Sequence, residues 1–223
     1  KNVMGNEPSY FNGNSGKEAA EGEVQWKRPV ENVNWYHAIA FCNKLSKACN
    51  LDPCYTVTGI NFDALNFSDI PTSNNTNWNN AVCDRSKNGF RLPTEAEWEW
   101  AAMGGKQYRW AGTDSENELE NYAWYADNSD YKAHEVKRKE ANGYGLYDMS
   151  GNVVEWCWDW YDDSIPADGH TDPKGVSSGS LRVIRGGGWL TGTVYAARAV
   201  RGFNLPGDRY ASLGLRVAYS VGR

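Results

Sequence analysis

Residues 91–102 read Arg91-Leu92-Pro93-Thr94-Glu95-Ala96-Glu97-Trp98-Glu99-Trp100-Ala101-Ala102 (RLPTEAEWEWAA), and they mark the start of a helix. Thr94 and Glu97 form a capping box, in which each side chain satisfies an orphan backbone N–H at the helix start. Gly104 and Gly105 terminate that helix. Upstream, Asn34 is a second good N-cap. Ala38, Ile39, Phe41, Cys42 and Leu45 follow it at spacings of three and four, which predicts a core-facing helix to about Lys47. Residues 1–30 are polar and read as loop, and 51–90 are irregular, with a surface loop at 72–77. Beyond 106 no long helix is expected. Short apolar stretches at 122–125, 145–149, 153–160, 181–184 and 213–219 alternate with turn residues and predict short strands in a twisted sheet. No internal repeat or linker divides the chain, so residues 1–223 read as a single α+β domain.

Composition agrees with a loop-rich fold. The chain is 40% hydrophobic and 23% charged, ordinary for a globular protein, but has 11 Trp, 13 Tyr and 23 Gly. Large aromatics supply buried area without long helices, and Gly permits tight turns. The net charge of −5 is spread along the chain and gives no basic nucleic-acid footprint. No apolar run approaches the ~20 residues of a membrane span. Cys42, Cys49, Cys54, Cys83 and Cys157 form no CxxC or zinc-type cluster. Cys49, Cys54 and Cys83 could supply one disulfide, with the pairing open.

Four motifs occur in order: RLPTEAEWEWAA (91–102), GLYDMSGNVVEW (145–156), RGGGW (185–189) and LGLRVA (213–218). Together they resemble the formylglycine-generating enzyme, or sulfatase-modifying-factor, family over residues 29–219. The resemblance implies a variant of the C-type lectin fold with two main helices, a short twisted antiparallel sheet and much irregular loop. It also implies a structural Ca²⁺ site at Asp148, Gly151, Val153 and Glu155, a set of hard oxygen donors of the kind Ca²⁺ takes.

The family's oxidases bind copper through a cysteine pair just after the Gly-Gly-Ser-aromatic element, because thiolates are soft Cu(I) ligands. Here Gly186-Gly187-Gly188-Trp189 is followed by Leu190-Thr191-Gly192, and no cysteine occurs after Cys157. No copper is expected, and no catalysis of that kind. A related branch uses iron and histidines, but His37, His134 and His170 lie far apart without an HxxxH-like pattern. His37 reads as a core or boundary residue. GxSxG, HExxH and P-loop motifs are absent.

Residues 190–212 (LTGTVYAARAVRGFNLPGDRYAS) contain no Lys, Glu, Gln, Met or Trp, types that fill roughly a fifth of positions elsewhere. Every residue type present can be reached from the Asn codon AAC by changing adenines, whereas those five types cannot. The pattern resembles adenine-directed mutagenesis by a diversity-generating retroelement, with RGGGW and LGLRVA as fixed edges. Such proteins carry variable binding loops on a rigid scaffold, as antibodies do. The reading is a non-catalytic, ligand-binding display protein. Its expected contact residues are Leu190, Thr191, Thr193, Val194, Tyr195, Val200, Gly202, Phe203, Asn204, Leu205, Tyr210, Ala211 and Ser212.

Arg198, Arg201 and Arg216 are expected to be framework, stacking on Trp or pairing with acids. The alternatives are an oxidase of the formylglycine-generating type, or an inactive relative that binds sulfatases. The expected partner is a protein or cell-surface ligand, not nucleic acid. A monomer is expected, held at the cell surface or outer membrane by a lipidated segment upstream of Lys1.

Overall fold

The computed structural model describes residues 2–164, 173 and 175–219; His170 lies outside them. In chain order the regular elements are α1 (Trp35–Ala48), β1 (Tyr55–Thr56), a one-turn α2 (Thr76–Asn79), β2 (Val82–Cys83), β3 (Phe90–Arg91), α3 (Glu95–Met103), a one-turn α4 (Leu119–Tyr122), β4 (Val154–Trp160), β5 (Arg182–Arg185), β6 (Gly202–Asn204), β7 (Leu213–Leu215) and β8 (Ala218–Tyr219). The fold is the expected α+β arrangement, with two main helices, small sheets and long irregular connections.

The central sheet has the order β6-β5-β4-β7. It is antiparallel across β6, β5 and β4, but β4 and β7 run parallel, with Val154 opposite Leu213. The expected antiparallel sheet thus carries one parallel pair at its β7 edge. A parallel neighbour needs a long crossover, and the chain between β4 and β7 supplies one by way of β5, β6 and the 190–212 segment.

Strand β4 explains why the helices lie where they do. Successive side chains of a strand point to opposite faces. Val154, Trp156 and Trp158 join the core cluster of Trp35, Tyr36, Ile39 and Leu92 on the α1 side. Cys157 joins Trp98, Ala102, Met149 and Val183 on the α3 side. The acids flanking Cys157 also serve α3: Glu155 Oε2 accepts from Trp98 Nε1 at 2.7 Å, and Asp159 Oδ2 accepts from Glu95 N at 2.7 Å. The sheet is therefore held between the two helices.

Both helix starts form as expected. Thr94 and Glu97 make the reciprocal capping box, and Gly104 ends α3 in the left-handed conformation. Asn34 caps α1, and the partner three residues on is His37. Phe41 and Leu45 are only half-buried, because the N-terminal half of α1 is covered on every side and its C-terminal half is open on one.

Two expected strands are absent. Tyr122 closes a one-turn helix, leaving only Trp124 in an isolated bridge to Gly151. The 145–149 run is broken by positive φ at Gly145 (75°) and Asp148 (57°). Strand β6 was not foreseen, because it falls within the 190–212 segment. All five cysteines are free thiols.

His37 gives the fold a defined acid response. Burial, with the charge of Arg209 adding to it, pulls its pKa from 6.5 down to about 4. The neutral ring belongs to the folded state, so its contribution is complete above pH 6.5 and is lost as pH falls toward 4. By linkage the loss reaches about 2 kcal/mol at pH 5. His37→Gln keeps a residue able to complete the capping box and should remove this part of the acid sensitivity. The check is urea unfolding of both proteins at pH 7.5 and 5: equal stability at the first and a clear advantage for His37→Gln at the second.

Candidate ligand-binding surface

The 190–212 segment begins and ends at Trp189. Its indole Nε1 donates to Ala211 O at 3.0 Å, its backbone N donates to Asn152 O at 2.8 Å, and its O accepts from Ser129 Oγ at 2.7 Å. Its ring meets Phe11 edge-on, centroids 5.3 Å apart. Just before it, Gly187 has φ of 66°, and a Cβ there would lie 2.8 Å from Tyr195 O. Only glycine lets the one-turn 3-10 helix Thr193–Ala196 pack so closely against the end of β5.

Between its ends the segment is clamped to α3 by arginines. Arg201 makes a bidentate pair with Glu95, at 2.6 and 2.7 Å. Arg198 reaches Glu99 at 3.3 Å and donates to Tyr108 O at 2.6 Å and Gln107 Oε1 at 2.8 Å. Arg185, fully buried at the end of β5, also pairs with Glu99 and donates to Val200 O. The hydrogen bonds that the Arg201 guanidinium donates to Glu95 hold it above its usual range. Arg216 pairs with Glu155 through Nε at 3.0 Å and Nη2 at 2.9 Å. All of Arg198, Arg201 and Arg216 are framework residues paired with acids.

With Arg198 and Arg201 tied down, the large apolar side chains of the segment face outward. Leu190, Val194, Tyr195, Phe203, Leu205 and Tyr210 are each about half exposed, between 46% and 61%. The remaining expected contact residues are half-buried, and most also serve the framework. Thr191 Oγ1 closes a turn with Gly188, Thr193 Oγ1 donates to Glu116 at 2.7 Å, and Asn204 Oδ1 accepts from Leu205 N. Val200 packs against the Trp110 cluster, and Ala211 against Phe11 and Trp189. Gly202 faces Ile184 across β5–β6, and Ser212 O accepts from Val154 N. Tyr210 also hydrogen-bonds Asp208, with Asn204 close by, so the two arms of the segment meet at Tyr210, Ala211 and Trp189.

The sequence reading did not single out Glu95, Glu99, Glu116 or Tyr161, although Phe203 packs on Tyr161 with centroids 4.5 Å apart. Glu95 and Glu99 carried a usable signal: four apart on a helix, they share one face. Tyr161 carried none, because its pairing depends on the β5–β6 register.

Three of the four residues of the implied Ca²⁺ site, Asp148, Val153 and Glu155, line one cavity elsewhere. Asn152 and Arg216 also line it, and its volume is about 340 Å³. Burial lifts the Asp148 carboxyl above its usual range, although Lys137 N donates to it at 2.9 Å. Among the described residues no three His, Cys, Asp or Glu side chains converge on one point. The donors expected for the ion are the Asp148 and Glu155 carboxylates with the Gly151 and Val153 carbonyls. This set fits a hard cation in kind, while Arg216 already supplies one positive charge to Glu155. His37 is spent on capping α1. His134 stacks on Trp124 and binds Glu23 and Ser129 O through its two ring nitrogens, at 2.7 and 2.8 Å. Burial pushes the Cys157 thiol far up.

This fold belongs to a known class. Residues 2–221 match the sulfatase-modifying factor enzyme 1-like domain, and the chain belongs to that family. Among solved structures it is similar to Treponema denticola variable protein 1, with 56% identity and a TM-score of 0.93 over 97% of this chain and 78% of that one. It is 34% identical over 209 residues to the chaperone protein LppX of Paenibacillus barcinonensis, covering 85% of this chain and 64% of that protein. It is 36% identical over 157 residues to the formylglycine-generating enzyme of Streptomyces coelicolor, covering 63% and 50%. The chain thus spans about half to two thirds of the length of these curated relatives.

The clamp and the outward residues predict opposite responses. Tyr195→Ala and Tyr210→Ala should each change unfolding free energy by no more than about 0.5 kcal/mol, as for ordinary surface positions. Glu95→Gln leaves Arg201 and Arg185 underpaired and should cost about 3 kcal/mol. Chemical denaturation of the three variants checks both; a tyrosine variant losing several kcal/mol would place that ring in the core.

Proposed function

We propose that this protein is a non-catalytic ligand-display protein whose contact surface is the 190–212 segment, diversified by adenine-directed mutagenesis. The observation that carries the reading is the division of labour within the segment: Arg198 and Arg201 are bound to α3 while six large apolar side chains face solvent. Exposed aromatics and aliphatics on a rigid frame suit a binding surface. The adenine-compatible composition of the segment supports the same reading, and so does the similarity to a Treponema variable protein. Without a cysteine in or after the segment, it offers no thiolate pair for the copper oxidation that the family's enzymes perform.

The protein would act at the cell surface, held by a lipid anchor upstream of Lys1. Among the described residues no helix is long and apolar enough to cross a membrane. Deep sequencing of codons 185–218 across a population of the source organism tests the reading. Substitutions confined to adenines of codons 190–212, with 185–189 and 213–218 constant, are expected. A uniform sequence would instead favour a fixed partner such as a sulfatase.

The same reading includes a structural Ca²⁺ at Asp148, Gly151, Val153 and Glu155. Bound there, the ion would supply charge to two buried carboxylates and brace the turn entering β4. Millimolar CaCl₂ should raise Tm by several degrees over an EGTA-treated sample, and Asp148→Ala should abolish the rise. An unchanged Tm in wild-type protein would mean that Arg216 alone serves this site.

A further inference from the structure

The loop beside Trp189 carries a feature that neither the fold nor the diversified segment explains. Residues 125–135 are heavily pinned. Ser129 N donates to Tyr125 O, Asn128 bonds Tyr125 N and Ala123 O, Ala126 N donates to Thr191 O at 3.0 Å, and Ala133 is buried against Phe11 and Trp189. Within this rigid loop Tyr131 has φ of 55° and is 69% exposed, directly after Asp130 at φ of 50°. Aspartate tolerates the left-handed region, but for a bulky residue it is a genuine outlier with an energetic cost. A strained conformation that persists while presenting an aromatic ring to water points to a role at that surface.

A second aromatic stands across Trp189. Tyr10 precedes Phe11, whose ring packs on Trp189, and Asn32 ties this stretch to the segment by donating to both Pro8 O and Tyr210 O. Tyr10 is 47% exposed, with Lys17 Nζ 4.0 Å from its ring centre. Both tyrosines lie outside 190–212, on elements that hold the two ends of that segment.

Neither of the two best-formed cavities among the described residues is lined by any residue of 190–212. Small-molecule sites are concave and bury most of their ligand, whereas flat surfaces rich in tyrosine suit folded protein partners.

We propose that Tyr10 and Tyr131 are constant contact residues flanking the variable segment, and that the combined surface takes a folded protein rather than a small molecule. The proposal rests on the display reading. The constant tyrosines contribute to every complex, and the exposed variable residues decide which protein is bound.

The test uses the full chain on yeast, with Leu190, Val194, Tyr195, Phe203, Leu205 and Tyr210 randomised. The library is selected in parallel against lysozyme, ubiquitin and fluorescein. Binders to both proteins and none to fluorescein are expected. In those binders Tyr131→Ala and Tyr10→Ala should each weaken Kd about tenfold with Tm unchanged. Tyr131→Gly, which relieves the backbone, should raise Tm while losing the same affinity. Protein binders indifferent to both alanine substitutions overturn the constant contacts. Fluorescein binders recovered as readily as protein binders overturn the partner class. A library yielding no binder to any probe overturns the display reading itself.

Discussion

The pairing of two glutamates on α3 with arginines of the β5 end and the 190–212 segment is the interaction on which the rest of this surface depends. Glu95 and Glu99 sit one helical turn apart and receive Arg201, Arg198 and Arg185. Arg185 is fully buried, so its charge is tolerated only because carboxylates meet it. The pairs hold the middle of a long, irregular segment that has little core of its own. Its ends are held separately by Trp189, which hydrogen-bonds Ala211 across the gap.

The clamp works because α3 is itself fixed, and β4 does the fixing. One face of that strand gives Val154, Trp156 and Trp158 to the α1 core; the other gives Glu155, Cys157 and Asp159 to α3. The acids on the second face accept hydrogen bonds from the Trp98 indole and from a backbone N–H at the helix start, so their burial is compensated. Strand, helix and segment form a chain of support from the core to the surface.

Much of this was legible in the sequence where local chemistry decides structure. The Thr94–Glu97 box and the Asn34 cap located both main helices, and Gly104 located the end of α3, because capping is settled within a few residues. The framework arginines were legible as a class, but their partners were not: which acid each meets depends on how far β6 carries the chain along β5. The same dependence hid Tyr161 beneath Phe203 and the parallel pairing of β7. The run at 145–149 misled because its apolar residues suggested a strand, while Gly145 and Asp148 adopt left-handed backbone that breaks one. The exposed Leu190 and Val194 could not be told from the half-buried Val200 and Ala211 by composition, since hydrophobic type does not say which way a loop residue points.

The clamp has a consequence at the level of the gene. Arg198 and Arg201 lie inside the segment proposed to be rewritten, yet losing either would release it from α3. A process that alters only adenines cannot touch a codon that has none. Arginine can be spelled CGC or CGT, without adenine, or AGA and AGG, which contain it. A template that uses the first spelling at these two positions would shield the clamp from diversification while every neighbour varies, so the physical need for a half-buried ion pair would be written into synonymous codon choice.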